Sequence, residues 1–161
     1  MQGNPPRYML ILHGRGETES RCISRLELTH FSMISYFDYR ALKHLALRSQ
    51  TVSRDCSCVR TAVAGWESMP LSLAETQLRE LGTLVCADEI EPTFEEYHPN
   101  GTRYWSLDAP IAPRYFPYNR CDVWECTVCH RCFLRYTEGG GYFVDRRIRQ
   151  LDASLMVDAA L

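Results

Sequence analysis

The chain has 161 residues, 45% of them hydrophobic, and a formal net charge of −2. It is long enough to bury a core, and too nearly neutral for charge alone to imply nucleic acid or a membrane surface. No apolar run approaches the roughly 18 residues of a membrane span, and residues 1–7 lack a basic, apolar leader, so the expectation is a cytoplasmic protein whose clustered cysteines are reduced metal ligands.

Tyr8 to Leu12 reads as a buried strand or extended arm ending near Gly14 and Gly16. From Thr29 to Arg48, Phe31, Ile34, Ala41, Leu42 and Leu45 recur near a helical period and predict an amphipathic helix. Residues 49–60, which carry Cys56 and Cys58, read as a loop. Ser72-Leu-Ala-Glu75 is a capping box that predicts a helix from Ser72 to Leu81, stopped by Gly82.

Beyond Pro92 the sequence turns aromatic, β-branched and turn-rich. Asn100-Gly101 tolerates positive φ at both central turn positions and predicts a hairpin over 94–107. Residues 108–113, with two prolines, run extended. A second hairpin joins 133–136 to 142–145 through Gly139, Gly140 and Gly141, and the tail predicts a short helix burying Ile148, Leu151 and Leu155. The expected architecture is a single α+β domain over 1–161. Its helical N-terminal half packs on an antiparallel, hairpin-rich C-terminal half, with 94–145 as the β-rich region.

Within that region lies the densest chemistry, Cys121, Cys126, Cys129 and Cys132 inside twelve residues. Thiolates so close together can be collected by one metal ion at little cost in loop closure. Cys126-Thr-Val-Cys129, flanked by strand-like sequence, resembles one knuckle of the zinc-ribbon and rubredoxin-like modules over residues 121–145. That resemblance implies two thiolates on one side of a turn with backbone amides donating to the sulfurs. Two features depart from it: His130 stands where glycine is usual, and a separate second knuckle is missing. The first-choice ligand set is therefore Cys121, Cys126, Cys129 and Cys132 around a structural zinc. His98 is one replacement for a clustered ligand, and the remote pair Cys56 and Cys58, stapling the two halves together, is another. An iron–sulfur cluster is the competing metal centre, although the cysteine that a ferredoxin run would place after Cys132 is Tyr136.

Charge is unevenly spread. Residues 61–110 carry two basic residues against nine acids, densest over 88–96. No Walker A sequence, His-Glu-x-x-His or nucleophile elbow occurs. The sequence thus favours a non-catalytic protein-interaction protein without a small-molecule substrate. Its acidic, aromatic surface of Asp88, Glu89, Glu91, Glu95, Glu96, Tyr97 and Trp105 would meet a basic protein, as in a bacterial immunity protein or antitoxin that neutralises a basic nuclease toxin. The alternative is a zinc-ribbon nucleic-acid-binding regulator acting through Arg146, Arg147 and Arg149.

Overall fold

A computed structural model of the chain describes residues 34–161. The expected strand at 8–12 and the start of the expected helix at 29–33 lie outside the described residues. Among those described, the elements are β1 (Ser35–Tyr36), α1 (Tyr39–Gln50), β2 (Glu67–Ser68), β3 (Leu78–Thr83), β4 (Asp122–Cys126), β5 (Cys132–Gly139) and β6 (Val144–Gln150), with short 3-10 turns at 57–59, 75–77, 118–120 and 153–155. The strands form one six-stranded sheet in the order β1-β3-β4-β5-β6-β2. β1 runs parallel to β3 and every other pairing is antiparallel. This corrects the expectation of a helical N-terminal half: the described residues contain one α-helix and a mixed sheet.

α1 begins later than its apolar periodicity suggests because Asp38 caps it, accepting from the Ala41 amide at 2.7 Å. Leu42, Ala46 and Ser49 face inward. The helix expected over 72–81 is replaced by a 3-10 turn, Glu75–Gln77, and then by β3. Its capping box does not close: Ser72 Oγ lies 3.3 Å from Thr61 Oγ1, and Glu75 pairs with Arg146. Cross-strand pairing with β4 on one side and β1 on the other outweighs local helical preference here. Gly82 is no helix stop. A Cβ there would collide with the Ser35 carbonyl oxygen and the Phe37 ring, so glycine admits the close approach of β1.

The 94–107 hairpin does not form as two paired strands. Gly101 does turn the chain with φ 73°, its amide donating to the His98 carbonyl at 3.1 Å. The flanking aromatics pack elsewhere, Tyr104 stacking on Trp66 with centroids 6.2 Å apart. The later hairpin does form, with β5 and β6 in register from Phe133↔Gln150 to Gly139↔Val144. It absorbs the segment expected to open a C-terminal helix, yet still buries Ile148 and Leu151.

Strand alternation sorts the core into two layers. Val123, Cys132, Leu134 and Tyr136 lie with α1 residues Leu42 and Ala46 in one cluster. Leu78, Cys126, Phe133 and Ile148 lie with Cys58, Val63 and Leu73 in the other. Successive side chains of a strand point to opposite faces, so α1 covers one face of the sheet and the segment carrying Cys58 covers the other.

Candidate metal centre

β4 ends at Cys126 and β5 begins at Cys132, and the intervening turn is held by the Cys126 amide on Arg131 O (2.8 Å) and the His130 amide on Cys126 O (2.9 Å). His130 adopts φ 68°, the left-handed conformation that glycine supplies most readily. The sequence departure at this position is thus accommodated without losing the turn. Thr127 anchors it to the neighbouring segment, its amide and hydroxyl both donating to the Gln77 carbonyl at 2.9 and 3.1 Å.

Opposite the turn, the chain leaving α1 tightens into the 3-10 turn Ser57–Val59, where the Val59 amide donates to the Cys56 carbonyl. That turn sets Cys56 and Cys58 against the knuckle. Cys56 Sγ lies 3.7 Å from Cys126 Sγ, and Cys58 Sγ lies 3.4 Å from Cys129 Sγ. The four sulfurs fall within 4.8 Å of one another, and three of the four residues are buried. A tetrahedral thiolate site with metal–sulfur bonds of about 2.3 Å needs sulfurs about 3.8 Å apart, so the spacing fits a metal ion without rearrangement of the fold.

The surroundings favour thiolate at Cys126. Gln77 Nε2 donates to both Cys56 Sγ and Cys126 Sγ at 3.4 Å, and Arg131 Nη1 to Cys129 Sγ at 3.6 Å. Burial pushes the Cys126 thiol up, but the amides of Cys129 and Val128 and the Gln77 side chain outweigh it and lower its pKa to about 6. Burial also raises Cys58 and Cys129; the Cys129 and Cys56 thiols add to the rise at Cys58, whereas at Cys129 those of Cys126 and Cys56 add to it and that of Cys58 opposes it.

The set differs from the first-choice reading in two members. Cys126 and Cys129 are brought together as expected, joined by the remote pair Cys56 and Cys58. Cys121 and Cys132 stand apart, on the α1 face. Cys121 Sγ donates to the Pro117 carbonyl at 3.3 Å, and Cys132 Sγ lies 3.8 Å from Arg48 Nη2. Both are fully buried, which raises both thiols. The cause is parity: Cys132 pairs with Glu125, so it shares that residue's face, opposite to the one on which Cys126 lies. His98 is occupied elsewhere, with Glu96 Oε2 2.6 Å from Nε2 and Thr102 Oγ1 2.9 Å from Nδ1. The signal for the second pair was the Cys-x-Cys spacing itself; Gln77 and Arg131 carried none.

Glu125 lies behind the knuckle, on the α1 side of the sheet. Its carboxylate is 3% exposed and accepts from Arg48 at 2.7 Å and Arg79 at 2.6 Å, linking α1 to β3 through β4. His130 Nδ1 stands 3.5 Å from the same carboxylate.

Of the acidic surface, Asp88, Glu89, Glu91, Glu95 and Glu96 are exposed, and between them stand exposed Ile90 and Phe94. Trp105 is 65% exposed, whereas Tyr97 is half-buried against Tyr115. The basic group expected near the C-terminus is largely engaged. Arg146 pairs with Glu75, and Arg147 with Glu138 and Asp145. Arg149 is fully buried, donating to the carbonyls of Ala64, Leu107 and Ala109 and to the Tyr118 hydroxyl. No helix among the described residues is long and apolar enough to cross a membrane. Comparison with protein-family models, curated proteins and solved structures finds no match.

Proposed function

We propose that the protein is a zinc-stapled interaction protein, in which the metal is structural and the working surface is the acidic, apolar-studded segment 88–105. The observation that carries this reading is the composition of the centre: four cysteines, two from the 56–58 turn and two from the β4–β5 turn, converge in a largely buried position. Zinc suits four thiolates in tetrahedral geometry, and such a closed set leaves no open position for a water or substrate. Because the two pairs are about 70 residues apart in sequence, metal binding would fasten the 52–77 segment to the sheet and contribute directly to folding free energy.

Exposed carboxylates interleaved with Ile90, Phe94 and Trp105 suit a cationic protein with apolar anchors. A basic nuclease toxin, met by this chain as its immunity protein or antitoxin, is the specific partner proposed. Elemental analysis of purified protein tests the metal: one zinc per chain is expected, without the visible colour of an iron–sulfur centre. Replacing Glu91, Glu95 and Glu96 together by Lys tests the surface. Zinc content should stay at one while capture of a basic partner from the native host is lost; unchanged capture would remove the acidic face from the account.

A further inference from the structure

The sheet face that carries the thiols continues beyond them as a groove of about 360 Å³, lined by Arg120, Arg135 and Arg146 together with Asp122, Trp124 and Thr137. Asp122, Trp124, Arg135 and Thr137 come from β4 and β5, whose register sets Asp122 opposite Arg135 and brings all four to one face. Five buried side-chain nitrogen or oxygen atoms among the described residues lack a hydrogen-bond partner, and three of them, Arg120 Nε, Trp124 Nε1 and Arg135 Nη1, belong to this groove. All three are donors. Buried polar atoms are nearly always paired, so three unpaired donors on residues that line one cavity mark side chains able to receive an acceptor there once they turn toward it.

Arg135 carries the argument. It is only 9% exposed, and its guanidinium makes no hydrogen bond or ion pair with the described residues, although the carboxylates of Glu75, Asp122 and Glu80 lie near enough to act on its charge. Its guanidinium lies over the Trp124 ring at 4.3 Å, which occupies one face of the cation and leaves the in-plane N–H groups that recognise oxyanions in bidentate fashion. Arg120 is held nearby by its contact with the Pro92 carbonyl and by stacking on Phe94 at 4.0 Å. The lining carries three guanidiniums and the carboxylate of Asp122, with the carboxylates of Glu75 and Glu80 also close enough to act on Arg135. At the rim, Glu75 pairs with Arg146, an exposed contact that an entering anion could displace.

We infer that this groove binds an oxyanion, a carboxylate or phosphate group received by Arg135 and Arg120 with Arg146 closing over it. The experiment uses the metal-loaded full chain at pH 7 and constant ionic strength, titrated separately with inorganic phosphate and with citrate against sodium chloride. It follows the Trp124 indole and arginine side-chain N–H resonances by NMR. A saturable shift with phosphate or citrate, absent with chloride, is expected, and the tighter of the two identifies which oxyanion the groove prefers. Arg135→Gln should weaken binding about tenfold or more, and Arg103→Gln, an exposed change outside the groove, should leave it unchanged. Should Arg135→Gln fail to fold, Glu75→Gln decides the matter: removing the competitor for Arg146 should tighten binding, which no loss of structure would mimic. Linear, chloride-like shifts with both anions would overturn the proposal, and so would binding indifferent to Glu75→Gln and to whatever Arg135→Gln protein folds.

Discussion

Cys126 and Cys129 share a twelve-residue stretch with Cys121 and Cys132, and the two pairs have opposite fates. The first pair meets Cys56 and Cys58 on one face of the sheet; the second is packed into the α1 core on the other. Nearness in sequence made all four look like one ligand set, but alternation along β4 and β5 divides them. In a strand, a ligand set is chosen by face before it is chosen by spacing.

The sharpest way to break this comparison is to delete one member of each pair. Cys58→Ser or Cys126→Ser should abolish stoichiometric metal binding and cost at least about 3 kcal/mol, because metal affinity is folding free energy in such a site. Cys121→Ala and Cys132→Ala should each keep one metal per chain and cost about 1 kcal/mol for lost core packing. Elemental analysis beside denaturant unfolding reads both quantities. Loss of metal in Cys132→Ala with retention in Cys58→Ser would reverse the assignment.

Acidity separates members within the four-cysteine cluster. In chelator-treated protein, Cys126 has its pKa lowered to about 6 by amide and Gln77 donors, so its contribution to stability is present above the unfolded thiol value and fades as pH falls through about 6. Cys58 and Cys129 are raised and act with the opposite sign: their contribution is present below the unfolded thiol value and is lost as pH rises beyond it. The apo protein should therefore gain stability from pH 6 toward the ordinary thiol range and lose it above, a maximum that Cys126→Ser shifts to lower pH. Unfolding midpoints measured across this range, with stability falling monotonically from pH 6 in the wild type, would contradict the donor arrangement around Cys126.

What the sequence disclosed follows the same division. The knuckle turn was legible because Cys-x-x-Cys between β-rich segments encodes a local geometry, and the β5–β6 hairpin was legible because Gly139 to Gly141 punctuate it. Leu78 to Gly82 misled: a good capping box and two leucines at helical spacing describe a helix in isolation, yet the segment lies between β1 and β4 and takes its hydrogen bonds from them. Asn100-Gly101 specified a turn without specifying partners for its arms, whose Tyr104 is claimed by Trp66. Cys56 and Cys58 were visible as a pair, but their place beside the knuckle depends on a closure of about 70 residues that no local pattern encodes.

Glu125 tests how the two faces are coupled. Its buried carboxylate receives Arg48 from the helix face and Arg79 from β3, both arginines being more than half exposed. Glu125→Gln leaves shape nearly intact and removes the charge. Because the arginines can return to water, the cost should be about 1–3 kcal/mol, below that of losing a buried partner for enclosed cations. Metal stoichiometry should remain one per chain. A loss of metal in this variant would mean that the α1 face holds the knuckle in place, rather than merely packing behind it.

The smallest expected effect lies at His130, where the knuckle departs from the glycine usual after its second cysteine. A side chain in the left-handed region costs roughly 1 kcal/mol, and glycine removes that cost while giving back part of it as unfolded-chain entropy. His130→Gly also gives up the 3.5 Å approach of Nδ1 to Glu125. The balance should leave the metal-loaded protein within about 1 kcal/mol of wild type, on the stabilised side, and more stable than His130→Ala by a similar amount. The comparison of the two variants isolates the backbone, since both lack the imidazole. If alanine proved the better tolerated, positive φ at residue 130 would not be what shapes the turn, and the resemblance to a glycine-bearing knuckle would reduce to the two cysteines alone.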